Sequence, residues 1–131
     1  MEPKAIEYYM VVERPVKLVP TKEGGSTVLK YNFKTGNFDY GMEYLTRITF
    51  GDEDVEQVSE DEFIQHVEKL RGRNLRGEGE AYVLYELINA MEDDAYKKGE
   101  TLSSDDKKMI NNLRKRTYRL FEEEQRKKDT V

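Results

Sequence analysis

The side chains able to bind a metal or move a proton here are one histidine and 27 carboxylates, with no cysteine among 131 residues. Without cysteine there is no disulfide framework, no thiolate metal site and no cysteine nucleophile. His66 follows Glu62 by one helical turn, close enough to pair with it or to share a ligand shell. Two ligands do not complete a transition-metal site, so the pair reads as a surface ion pair. The run Gly51-Asp52-Glu53-Asp54-Val55-Glu56 invites a calcium loop. Laid on that loop from Asp52, the glycine position falls on Gln57 and the bidentate glutamate position on Phe63, so the pattern fails. A solvated loop before a helix N-terminus is the simpler expectation, since the dipole favours carboxylates there. Asp52, Asp54 and Glu62 would be the place for acid–base chemistry, but paired catalytic carboxylates need a shaped pocket that spacing alone does not supply.

The glycines read as turns. Gly24-Gly25-Ser26-Thr27 lacks the spaced glycine and lysine of a phosphate loop, and Gly77-Glu78-Gly79-Glu80 would repel anions. No nucleophile elbow accompanies the histidine. The expectation is a chain without a catalytic constellation, cofactor or metal.

Two polar features remain as candidate interaction surfaces. Lys107, Lys108, Arg114, Lys115, Arg116 and Arg119, joined by Arg71, Arg73 and Arg76, could neutralise a phosphate backbone, with Tyr82 or Tyr118 to stack on a base. Against that, Glu122, Glu123 and Glu124 follow directly and the chain carries a net charge of −5. Nine tyrosines and no tryptophan make the second feature. Tyr9 on the first strand and Tyr40 near a turn are expected at the surface, where aromatic rings with a polar tip suit protein contacts.

These residues must be placed by a fold in which strands precede helices. Ala5 to Glu13 alternates, with Ile6, Tyr8, Met10 and Val12 on a strongly apolar face, until Pro15 stops it. Val16 to Val19 reads as a short extended piece ended by Pro20. Thr27 to Lys34 places Leu29, Tyr31 and Phe33 on one face, and Phe38 to Tyr40 pairs back across a turn at Gly36. Tyr44 to Phe50 reads as extended again. The period changes at Ser59, where Ser59 and Glu62 form a capping box with Val58 and Phe63 as its staple. That helix buries Phe63, Ile64, Val67 and Leu70 and is expected to end at Gly72. A second helix covers 81–98. A third opens at Ser103 with a narrow stripe of Ile110, Leu113, Thr117 and Leu120, and its end, 122–131, is expected to fray.

The expected architecture is therefore α+β: an N-terminal antiparallel β-meander of three to five strands, then three α-helices, the last two able to pack as an antiparallel pair. One domain over 1–131 is expected, strand-rich over 1–50 and helical over 59–128. Met1-Glu-Pro-Lys does not open a signal peptide, and no apolar run approaches a membrane span, so a soluble cytoplasmic protein is expected. Charge alternates along the chain, from seven acids and no base over 51–62 to nine bases against six acids over 101–131. A self-neutralising or partner-specific surface fits that pattern better than a nucleic-acid binder. Functionally, the sequence points to a small non-catalytic protein-interaction or regulatory module of adaptor, inhibitor or immunity type. Its partner would be another protein or a second copy, engaged through the helical part. Nucleic-acid association through the basic connector and last helix is the alternative. No stretch carries a motif specific to a family.

Overall fold

Hairpin chemistry at the N-terminus sets the architecture, which a computed structural model describes for residues 5–129. The Met1-Glu-Pro-Lys segment and residues 130–131 lie outside the described residues. Strands β1 (Glu7–Val11) and β2 (Arg14–Pro20) are joined by a two-residue turn in which Val12 takes φ +59°. Strand β3 (Ser26–Tyr31) turns back through Thr21–Gly25, and β4 (Phe38–Tyr40) returns across Gly36. Strand β5 (Val55–Val58) closes an antiparallel sheet of order β4-β3-β2-β1-β5. The meander is thus as expected, with β5 added beside β1.

Three corrections follow. Val16–Val19 belongs to a longer strand that sits at the centre of the sheet, paired on both sides. Pro15 is tolerated within it because the ladder to β3 begins only at Val16. Tyr44–Phe50, expected as extended, is helical: a 3-10 turn at Met42–Tyr44 leads into α1 (Leu45–Phe50), ended by Gly51 at φ +72°. Leu45 and Ile48, spaced by three, both meet the sheet, and that contact overrides the β-propensity of Thr46, Ile48 and Thr49. Finally, the acidic run is not all solvated loop, since Val55–Val58 pairs with β1 through Tyr8↔Val58 and Val11↔Val55.

The chain divides into two compact units, Met1–His66 and Val67–Val131. In the first, both faces of the sheet are covered, so β1 is not a strand with one apolar face: Tyr9, Met10 and Val11 are buried in succession. Val11, Val16 and Val28 form a cluster on one side, against which Leu18, Tyr44, Leu45, Ile48 and Val55 pack. On the other side Phe63 lies 4.8 Å from Tyr8 and 5.6 Å from Phe38, ring to ring. Val12, placed by alternation on the apolar face, is instead an exposed turn residue.

Helix α2 (Glu60–Asn74) starts as expected, with the Ser59 hydroxyl accepting the Glu62 amide at 3.1 Å, and continues two residues past Gly72. Gly72 packs under the Tyr85 ring, where a β-carbon would lie 3.1 Å from Cδ1. The second unit contains the rest of α2 with α3 (Glu80–Lys97) and α4 (Ser104–Asp129). Among the described residues four α-helices thus replace the expected three. Ser103 caps α4 through its hydroxyl, as the spacing predicts, and α4 remains helical through 122–129.

Candidate functional site

The acids singled out for chemistry serve local structure. Asp52 accepts the Asp54 amide at 3.2 Å and the Arg47 guanidinium at 2.9 Å, and these bonds hold its carboxyl below the usual range. Glu62 closes the α2 cap with Ser59, while His66 is exposed one turn later. Among the described residues no three His, Asp or Glu side chains are grouped so as to hold a metal ion.

Most of the basic groups proposed as a phosphate-binding set are engaged within the chain. Arg71 is fully buried, Arg73 pairs with Glu92 at 3.2 Å and Asp93 at 3.1 Å, and Arg76 donates to the carbonyls of Leu75 and Arg73. Arg114, expected at the surface, is buried and bound to Glu92 at 3.2 Å. Arg116 is exposed and paired with Glu80, and Lys115 and Arg119 are also exposed on α4. The tyrosines also separate. Tyr9 is buried with its hydroxyl donating to Glu7 at 3.0 Å, while Tyr40 is 78% exposed on the edge strand β4. Tyr82 is half-buried against Tyr85, and half-buried Tyr118 has its ring centre 5.5 Å from the Arg71 guanidinium carbon.

What sequence reasoning missed is a polar cluster inside the helical unit. Glu68 and Arg71 lie one turn apart on the same side of α2 as Ile64 and Val67, and both are fully buried. Arg71 donates to Glu68 Oε2 at 2.9 Å and to Glu122 Oε1 at 2.7 Å, and its guanidinium lies 3.8 Å from the centre of the Phe121 ring. The Tyr85 hydroxyl donates to Glu68 Oε1 at 2.6 Å, and the Thr117 hydroxyl joins the same carboxylate. One cation, two carboxylates and two hydroxyls therefore tie α2, α3 and α4 to each other. Burial pushes the Glu68 carboxyl up, more than the Arg71 charge and its hydrogen bonds pull it down. Burial and then Glu68 itself push the Tyr85 phenol well above its ordinary value. The signal was present in the sequence as a Glu/Arg pair at i, i+3 within an apolar stripe. A chain does not bury such a pair without partners, and those partners come from other helices.

The inner side of the α3–α4 pair is filled by Ala81, Tyr85 and Ile88 from α3, with Ile110, Thr117 and Phe121 from α4. The stripe read on α4 is therefore split, because Ile110 and Thr117 are buried while Leu113 and Leu120 are only half-covered. On the outer side of α3, Val83 is 64% and Leu87 45% exposed, with Leu84 and Met91 half-covered beside them. On α4, Met109 is 51% exposed and is followed at helical spacing by Leu113 and Leu120. The Glu80–Arg116 ion pair crosses between the two helices at this face. The result is an apolar strip on two adjacent helices. No known protein family, curated protein or solved structure matches the chain.

Proposed function

We propose that this chain is a small non-catalytic protein-interaction module of the cytoplasm, whose docking surface is the outer face of α3 and α4. The observation that carries this is the exposure of Val83 and Leu87 on a helix whose opposite face is already committed to the core. Two apolar faces on one helix are one more than its own hairpin uses, and covering the second removes apolar area from water. The engagement of Arg71, Arg73, Arg114 and Arg116 by carboxylates supports a protein partner over nucleic acid, because paired cations have fewer counterions to release. No helix among the described residues is long and apolar enough to cross a membrane.

The test is affinity capture from host lysate with tagged wild-type protein and Leu87→Glu, washed at high salt after nuclease treatment. A protein retained by the wild type and lost by Leu87→Glu, with unchanged helical circular dichroism in the variant, is the expected result. Recovery of nucleic acid alone, or equal retention by both proteins, would overturn the proposal.

A further inference from the structure

We infer that the cleft between the end of α2 and the adjoining side of α3 binds a small zwitterion, an α-amino acid or short peptide with an apolar side chain, through Arg76 and Glu86. On α3, Tyr82, Glu86, Asn89 and Asp93 recur at i, i+4, i+7 and i+11 and so share one face, distinct from that of Val83 and Leu87. Facing them, α2 ends and the chain leaves through Leu75, Arg76 and Gly77. The space between has a volume of about 370 Å³, within the range of small-molecule pockets, roughly 300–1,000 Å³.

The walls are fixed by contacts within the chain. Asn89 Nδ2 donates to the Gly72 carbonyl at 3.0 Å, and Arg73 ties the end of α2 to Asp93 at 3.1 Å. The Tyr82 ring stands edge-on to Tyr85 with centres 5.7 Å apart. It also lies so close over Gly77 that a β-carbon there would come within 2.8 Å of Cζ.

These bonds leave over one set of donors and one set of acceptors. Arg76 uses only Nη1, which donates to the carbonyls of Leu75 at 2.8 Å and Arg73 at 3.3 Å, so Nε and Nη2 remain open donors. Those carbonyls lie at the negative end of α2 and hold the guanidinium there, apart from Glu86. Glu86 lines the same cleft, is exposed, and makes no side-chain hydrogen bond or ion pair among the described residues. Asn89, with Nδ2 committed to Gly72, has Oδ1 as a further acceptor. Asp93 is already neutralised by Arg73, so the cleft retains one guanidinium with spare donors and one carboxylate without a partner. A simple anion would meet Glu86 and a simple cation would meet Arg76, whereas a zwitterion satisfies both. Its carboxylate accepts from Arg76, in the paired geometry that a guanidinium favours, and its ammonium donates to Glu86 and Asn89. Leu75, Ala90 and the Tyr82 ring give its side chain apolar contact. A ligand of about ten non-hydrogen atoms in a cleft open to water is expected to bind with a dissociation constant of about 1 mM.

The experiment is a titration of the intact nitrogen-labelled chain, followed by amide chemical shifts, with leucine and leucylleucine up to about 20 mM. Leucinamide, which lacks the carboxylate, and N-acetylleucine, which lacks the ammonium, are run in parallel. The expected result is saturable shifts confined to residues 72–93, with each blocked ligand about tenfold weaker than the better zwitterion. The tighter of leucine and leucylleucine distinguishes a free amino acid from a peptide. Glu86→Gln should abolish the preference over N-acetylleucine and keep that over leucinamide, and Arg76→Gln should do the reverse. Both positions are exposed, so helical circular dichroism should be unchanged, and the comparison of ligands on the wild type needs no variant. No shift with either zwitterion at the highest concentration, shifts spread over other segments, or blocked ligands that bind as tightly as the zwitterions would each overturn the inference.

Discussion

Substituting Arg71 by methionine would keep most of the side-chain volume over Phe121 while removing the cation shared by Glu68 and Glu122. Glu122 is 31% exposed at its side chain and can turn to water, but Glu68 is fully buried and cannot. Its negative charge would be left with the Tyr85 hydroxyl as donor, the Thr117 hydroxyl donating to the Arg114 carbonyl at 3.0 Å. Breaking a buried pair from one side costs about 3–5 kcal/mol, a large share of the roughly 5–15 kcal/mol that holds a domain together. The size should depend on pH. Burial already lifts the Glu68 carboxyl above its unfolded value, and loss of Arg71 removes the strongest influence lowering it. A folded value above the unfolded one, about 4.3, means a contribution fully present below that pH and lost as pH rises through the folded value. The variant therefore suffers less at pH about 5 than at pH about 8, with a slope of up to about 1.4 kcal/mol per unit between the two carboxyl values. Adding Glu68→Gln removes the stranded charge and should recover more than half of the loss at the higher pH. Urea unfolding followed by helical circular dichroism at both pH values measures all of this. A loss below about 1 kcal/mol, no dependence on pH, or no recovery in the double variant would refute the view that a stranded carboxylate is the cause.

Two further perturbations test the sheet unit. Val12→Gly should stabilise the chain by about 1 kcal/mol, because a β-branched residue at φ +59° carries left-handed strain that glycine does not; an unchanged or lower melting temperature would contradict this. Phe63→Ala should cost about 3–5 kcal/mol, since the ring is fully buried between Tyr8 and Phe38, and a loss under about 1.5 kcal/mol in urea unfolding would show that the site collapses instead.

Local signals were legible wherever the chemistry needed only a few neighbouring residues. Ser59 with Glu62 and Ser103 with Asp106 announce helix starts because a hydroxyl finds its amide within three residues. Gly36, with φ +77°, marks its turn for a similarly local reason. Tyr44 to Phe50 misled because alternation of Thr46, Ile48 and Phe50 competes with the i, i+3 spacing of Leu45 and Ile48. Which period wins is decided by what the sheet offers to pack against. Tyr9 was misplaced because β1 is covered on both faces, so alternation says nothing about exposure.

The same division runs through the candidate site. Composition and spacing by themselves determined an α+β chain with strands first, a cysteine-free inventory, capped helices, and a set of bases on α4 with acids close behind. They could not determine which of those charges face solvent, since that depends on side chains brought together from distant positions. Arg114 and Glu92, Arg116 and Glu80, and Arg71 with Glu122 are each separated by at least 22 residues in sequence and meet only when the helices pack. Tertiary structure therefore turned part of an apparent basic surface into ion pairs between helices and left Val83, Leu87 and Met109 exposed. Periodicity specifies which residues share a face of a helix, and only packing specifies which face is covered.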